Sequence, residues 1–242
     1  MAHFYILESL ESSTIGSEVV LDGSEGKHAA TVSRVRPGET FTLGNGRGLV
    51  LEVEAESVSK DCVQLRVLQV ENKERLHPEI LLVQALAKTD RDERAIEAAT
   101  ELGVDTVIPW AASRSISKWE GPKIEKGIAR WSAIVREASK QSIRPYIPQV
   151  HPPVTTAELV KMLPAADIVV LDPTGDVPLS SFNPTSHQIA IIVGPEGGIT
   201  ETELDTFRNA GATIVTMGNN ILRTSTAGPA ALAIMNAKLG RC

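Results

Sequence analysis

Short apolar runs alternate with longer amphipathic stretches through most of this chain. Residues 189–193 (Ile-Ala-Ile-Ile-Val) are a continuous β-branched run stopped by Gly194 and Pro195, the pattern of a buried strand. Thr200 lies three residues before Glu203, the spacing of a capping box, and predicts a helix start. Residues 214–217 read as a second short strand broken by Gly218, and Thr226 opens an Ala-rich run that predicts a last helix ending at Gly240. Upstream, the spacing predicts strands over 80–86, 106–109 and 168–171, and helices over 90–102, 123–141 and 156–163. Five or six strands alternating with helices mean a mostly parallel sheet covered by helices. The first 70 residues differ: strand-like runs at 4–7, 18–21, 39–43, 49–56 and 62–70 surround one short helix over 24–36, closed by Pro37-Gly38. Asn45-Gly46 is a hairpin signal between two of these runs, and the unit reads as a small β-barrel. The polar segment 71–78, ending in Pro78, is the domain boundary and divides the chain into 1–72 and 73–242.

Composition narrows the class. No apolar run approaches the roughly 18 residues of a membrane helix, and the first residues have neither a basic nor a long apolar region, so no signal peptide is expected. Cys62 and Cys242 show no pairing pattern, which suits a reducing cytoplasm. The net charge of −6 disfavours a generally basic nucleic-acid binder, but it is unevenly spread. Residues 1–72 carry 6 basic against 11 acidic side chains, whereas residues 114–144 carry 8 against 3, a local excess suited to phosphates or to a solvated helix face.

Several chemistries find no support. His3, His28, His77, His151 and His187 are scattered without ligand spacing, so no metal site is predicted. There is no Gly-x-Ser-x-Gly elbow, no dinucleotide fingerprint and no P-loop. What remains is a pair of strand-end loops rich in glycine (Gly194, Gly197, Gly198, Gly218), which would expose backbone to a flat ligand at the carboxyl ends of parallel strands. Tight turns alone are the other reading of those glycines. Arg223 stands in the second loop, and such a site would position and polarise a reactive cofactor rather than attack covalently.

The residues Ile192-Val-Gly-Pro-Glu-Gly-Gly-Ile199, Met217-Gly with Ile221-Leu-Arg-Thr224, and Thr226-Ala227 resemble the SPOUT class of S-adenosylmethionine-dependent RNA methyltransferases. Together with Ala99-Thr-Glu-Leu-Gly-Val104, Ser113-Arg-Ser115 and the run from Glu137 to Arg144, they are most similar to the RsmE family, which makes N3-methyluridine in 16S ribosomal RNA of the 30S subunit. The likeness spans the whole chain. It implies a PUA-like barrel followed by a trefoil-knotted parallel-sheet α/β domain, a homodimer, a cytoplasmic location and no membrane. It also implies S-adenosylmethionine held at Leu171, Gly194, Pro195, Glu196, Gly198, Met217, Gly218, Asn220, Ile221, Leu222, Thr226 and Ala227, with Arg223 as the catalytic side chain. RNA contacts are expected from Arg34, Arg36, Arg91, Arg114, Lys118, Gln141 and Arg144. Trp110, Trp119 and Trp131 are further candidates for stacking, with burial as their commoner fate.

Two positions depart from the family pattern. Ser225 stands where relatives commonly have Glu, which removes a carboxylate base there, and Thr89 replaces a usual Gly, which implies a changed backbone. The alternatives are a SPOUT enzyme acting on tRNA or a ribose 2′-hydroxyl, and a non-catalytic nucleotide-binding α/β module.

Overall fold

The computed structural model describes residues 4–241; His3 and Cys242, named above, lie outside them. The chain divides into two compact units. The first holds residues up to Arg75 together with Ser139–Ile147, and the second holds Leu76–Ala138 and the residues from Pro148 onward.

The first unit is a five-stranded, barrel-like sheet. Its strands are β1 (Phe4–Ile6), β2 (Glu18–Leu21), β3 (Thr40–Gly44), β4 (Leu49–Val58) and β5 (Val63–Asn72), in the order β1-β3-β4-β5-β2. Alternating residues such as Leu51, Val53 and Ala55 point into a core with Leu21, Leu43, Val63 and Leu65. Register shifts at Glu52/Val53 and Ala55/Ser57 mark the β4–β5 pairing, where bulges bend a long hairpin. The Asn45-Gly46 signal is realised between β3 and β4. Gly46 takes φ +71°, and the Asn45 side-chain oxygen accepts from the N–H groups of Arg47 (2.7 Å) and Leu49 (3.1 Å). Helix α1 (Gly23–Lys27) widens into a π-helical turn over His28–Val32. It stops short of the predicted residue 36 because Arg34 takes a left-handed φ of +55°. Ser139–Ile147 packs within this unit: Lys140 pairs with the buried Glu25 at 2.9 Å, and the Tyr146 hydroxyl donates to the Lys73 carbonyl at 2.8 Å.

The second unit follows the predicted alternation. It runs β6 (Glu79–Ala85), α2 (Arg91–Glu101), β7 (Thr106–Trp110), α3 (Pro122–Gln141, which ends in the first unit), β8 (Gln149–Val150), α4 (Thr156–Met162), β9 (Asp167–Leu171) and β10 (Val177–Pro178). Then come β11 (Gln188–Val193), α5 (Glu201–Asn209), β12 (Thr213–Thr216) and α6 (Thr224–Lys238). The sheet has seven strands in the order β10-β12-β9-β11-β6-β7-β8, every pairing parallel. The strands beyond the predicted five or six include β8 and β10, whose two residues each are too few to set a periodicity. Strand residues point alternately to two covered faces, hence the continuous apolar runs. Leu81, Val83, Ile108, Val170 and Ile192 pack with Leu159, Leu204 and Phe207 of α4 and α5, while α2 and α6 pack together on the other side against β6. Gly228 lets α6 approach closely: a Cβ there would stand 3.0 Å from Leu82 Cδ1.

The last helix begins at Thr224, two residues before the predicted Thr226. Thr226 would cap better than Arg223, the residue that stands at the N-cap, but Thr224 is buried and hydrogen-bonded, and Arg223 ahead of it is already extended (φ −66°, ψ 151°). Tertiary contacts outweigh capping preference. Among the described residues, no helix is long and apolar enough to cross a membrane.

Candidate active site

Three adjacent strands of the second unit end level with one another. Val193 at the end of β11 is in register with Leu171 at the end of β9, and Val215 of β12 is in register with the same Leu171. The loops that follow these ends line two hollows of about 650 and 490 Å³, which share Leu171, Asp172, Pro173, Ile221, Leu222 and Ala227. They form one cleft at the carboxyl edge of the sheet, where parallel α/β sheets bind ligands.

The loops need their glycines. A Cβ on Gly194 would lie 2.7 Å from Ile199 Cγ1, and Gly218 takes φ +86°, a conformation other residues adopt at a cost. Gly194, Gly197, Gly198 and Gly218 thus leave backbone uncovered in the cleft wall.

Of the twelve predicted cofactor residues, Leu171, Gly194, Pro195, Glu196, Gly198, Met217, Gly218, Asn220, Ile221, Leu222 and Ala227 line this cleft. Thr226 does not. With the helix starting at Thr224, residues 224, 227 and 228 form the buried face and Thr226 is exposed. Glu196 is held in place, its Oε1 accepting from the Lys88 N–H (3.2 Å) and from Arg91 Nη1 (3.0 Å). Arg223 lines the cleft and is exposed, and its guanidinium has no hydrogen bond or ion pair among the described residues. Ser225 sits half-buried in the first turn of α6.

Sequence reasoning missed several parts. Asp172 and Pro173 form a third strand-end loop, and the Asp-Pro-Thr-Gly turn after an apolar run was the signal for it. Thr224 was also missed as a fastener. Its hydroxyl donates to the Gly194 carbonyl (2.9 Å) and accepts from Nε2 of Gln84 (2.8 Å), a side chain buried at the end of β6. Nothing local marks Gln84, which reads as one polar position in a strand.

The predicted RNA-contacting residues divide. Arg91 is paired with Glu196, and Arg114 donates through Nη1 to the Gly197 carbonyl at 3.0 Å, so both brace the Gly-Pro-Glu-Gly-Gly loop. Lys118 borders a separate hollow in the same unit. Arg34 and Arg36 are exposed in the first unit, where Gln141 and Arg144 also belong. Also in the first unit, the exposed Arg47 donates its guanidinium to the carbonyls of Glu8 (2.9 Å) and Leu10 (3.3 Å). Trp110 and Trp131 are fully buried and cannot stack on a base. Thr89 takes φ +68°, the left-handed region that favours glycine.

A cleft at level parallel strand ends, in a chain that also carries a small β-barrel, belongs to a known class: the RNA methyltransferase domain family matches residues 74–236, and the RNA methyltransferase PUA domain family matches residues 21–68. A curated relative from Mycobacterium bovis, named ribosomal RNA small subunit methyltransferase E, is 38% identical over 93% of this chain and 88% of its own length. The crystal structure of a ribosomal RNA small subunit methyltransferase E from Neisseria gonorrhoeae, bound to S-adenosyl methionine, superposes with a TM-score of 0.89 at 30% identity, covering 98% of each chain. A methyltransferase from Legionella pneumophila in complex with the same cofactor gives a TM-score of 0.87 at 28% identity, again over 98% of each chain. The chain belongs to the ribosomal RNA small subunit methyltransferase E family.

Proposed function

We propose that this chain transfers a methyl group from S-adenosylmethionine to N3 of a uridine in 16S ribosomal RNA of the small subunit. The observation that carries the reading is a donor-sized cleft with an unpaired arginine at its wall. Its two hollows, about 650 and 490 Å³, lie in the range of small-molecule sites. Backbone at Gly194, Gly198, Met217 and Gly218 suits main-chain contacts to the adenosine, and the Asp172 carboxylate in the same wall favours a cation, Glu196 being paired with Arg91. When bound, S-adenosylmethionine supplies an electrophilic methyl carbon on a sulfonium.

The protein's own contribution is position and charge. Uridine N3 becomes a nucleophile when its proton leaves, and negative charge then spreads to the two ring oxygens. Arg223, with its guanidinium uncommitted, stabilises that charge. The apolar side chains of Leu171, Leu222 and Ala227 exclude water from the donor. The three loops at 171–173, 194–199 and 216–223 are read as the loops of a trefoil knot closed by α6. A homodimer in the cytoplasm, with a domain boundary at 72/73, completes the reading.

Labelled-methyl transfer to unmodified 16S ribosomal RNA and to assembled 30S subunits, followed by nucleoside mass spectrometry, tests it. The expected product is 3-methyluridine; a 2′-O-methyl nucleoside would overturn the base specificity. Arg223→Ala is expected to lower kcat by about 10²–10³-fold while S-adenosylmethionine still binds. Transfer by Arg223→Ala at the wild-type rate would remove the arginine from the mechanism.

A further inference from the structure

The second unit has another hollow, of about 470 Å³, outside the donor cleft. Its wall includes Lys118, Lys123, Lys126 and Arg130, set beside Trp119 and Thr89. Lys118, Lys123 and Lys126 are exposed, and their ammonium groups have no hydrogen bond or ion pair among the described residues. Arg130 differs, because its guanidinium is committed to Glu93 (Nη2 to Oε2, 2.7 Å). The other acid in the wall, Asp92, is turned inward. Only 4% exposed, it accepts from the N–H groups of Ala87 (3.1 Å) and Glu93 (2.9 Å), and burial pushes its carboxyl above the usual range. A ligand entering this hollow therefore meets three uncompensated ammonium groups. Held round one space, they repel each other until an anion joins them.

The hollow has a fixed wall. Trp119 lies with its ring against Gly127 of α3, where a Cβ would come within 2.5 Å of ring carbons, and it meets Trp131 edge-on at a centroid distance of 5.0 Å. A glycine inside a helix costs about 1 kcal/mol relative to alanine, and here it makes room for the indole. The hollow also adjoins the donor cleft along two segments. Arg91 lines the cleft while Thr89, Asp92 and Glu93 line the hollow. Likewise Arg114 bonds to the Gly197 carbonyl at the cleft, and Ile116 to Trp119 continue along the hollow.

We propose that this hollow grips a phosphodiester group of the RNA strand beside the target nucleotide, through Lys118, Lys123 and Lys126. Lysine ammonium groups suit phosphate as point charges, and a phosphate held next to the cleft fixes where the adjoining base can go. The proposal rests on the methyltransferase reading for the identity of the strand.

The test compares wild type with the triple variant Lys118→Gln, Lys123→Gln, Lys126→Gln in the full chain, using unmodified 16S ribosomal RNA transcribed in vitro as the probe. Affinity is measured against salt concentration. Each lost phosphate contact should reduce the slope of log K against log salt by about 0.7–0.9, and near physiological salt the affinity should fall about tenfold. S-adenosylmethionine affinity should stay at the wild-type value. A slope equal to wild type overturns the proposal. So does a protein in which inorganic phosphate raises the melting temperature while the RNA slope is unchanged, since the hollow would then hold a small anion only. Should the triple variant melt early, Lys118→Gln and Lys126→Gln alone are read by the same slope. Wild type that binds the RNA but transfers no methyl would sink the proposed function and leave the slope to judge the hollow.

Discussion

Thr224 uses one hydroxyl twice, donating to Gly194 at the end of one strand and accepting from Gln84 at the end of its neighbour. Thr224→Val keeps the shape and removes both bonds, leaving the Gln84 amide buried without that partner. The expected cost is about 1–3 kcal/mol of unfolding free energy, with weaker S-adenosylmethionine binding, and Thr224→Ser should recover most of both. Denaturant unfolding and donor titration check this; a valine variant matching wild type in both would remove Thr224 as a fastener. At this scale the sequence was readable where a motif repeats a known pattern. Gly194, Gly218 and Arg223 line the cleft as the resemblance implied. Gln84 was not readable, because its role exists only once residues 140 positions apart meet. Thr89 was not readable for a different reason: a β-branched residue argues against φ +68°, the conformation it takes just ahead of α2.

Among the elements, α5 was predicted from its capping box, and the box is present: Thr200 and Glu203 bond reciprocally. Its glutamate does more than cap. Glu203 Oε1 also accepts from the Ser113 N–H (2.9 Å) and the Thr156 hydroxyl (3.1 Å), so one buried carboxylate joins the starts of α4 and α5 to the segment after β7. Burial opposes its ionisation, but the hydrogen bonds from Ser113 and Thr200 outweigh burial and hold the carboxyl below the ordinary range. A depressed carboxyl contributes stability above the unfolded pKa and loses it as pH falls through the lower folded value. Glu203→Gln is therefore expected to cost about 1–3 kcal/mol at neutral pH, with the gap from wild type closing below about pH 4. Urea unfolding at several pH values reads this, and a gap constant down to pH 3 would count against it. The capping half of this residue was legible, since it is local. The bonds to Ser113 and Thr156 depend on sheet order, which no window of sequence contains.

For the whole molecule, charge and division into units matter most. The net charge of −6 conceals the unpaired lysines beside the donor cleft, so total charge understates the expected salt dependence of RNA binding. Donor binding should be seen in the unit that holds the cleft. S-adenosylmethionine at a hundred times its Kd adds about 2.7 kcal/mol to the stability of that unit, measurable as an upward shift of its thermal transition. No shift at saturating donor would exclude the cleft as the donor site. The βα alternation was legible across this unit because each element carries its own period. That Ser139–Ile147 groups with the barrel was not, since the end of an amphipathic helix does not say which body it joins. This grouping has a consequence for biosynthesis. The barrel strands leave the ribosome first, but their unit is incomplete until residue 147 has emerged, by which time β6 and β7 have also been made. The cleft comes later still, because part of its wall lies at 215–227. A nascent chain halted near residue 210 would carry a finished barrel and no donor site.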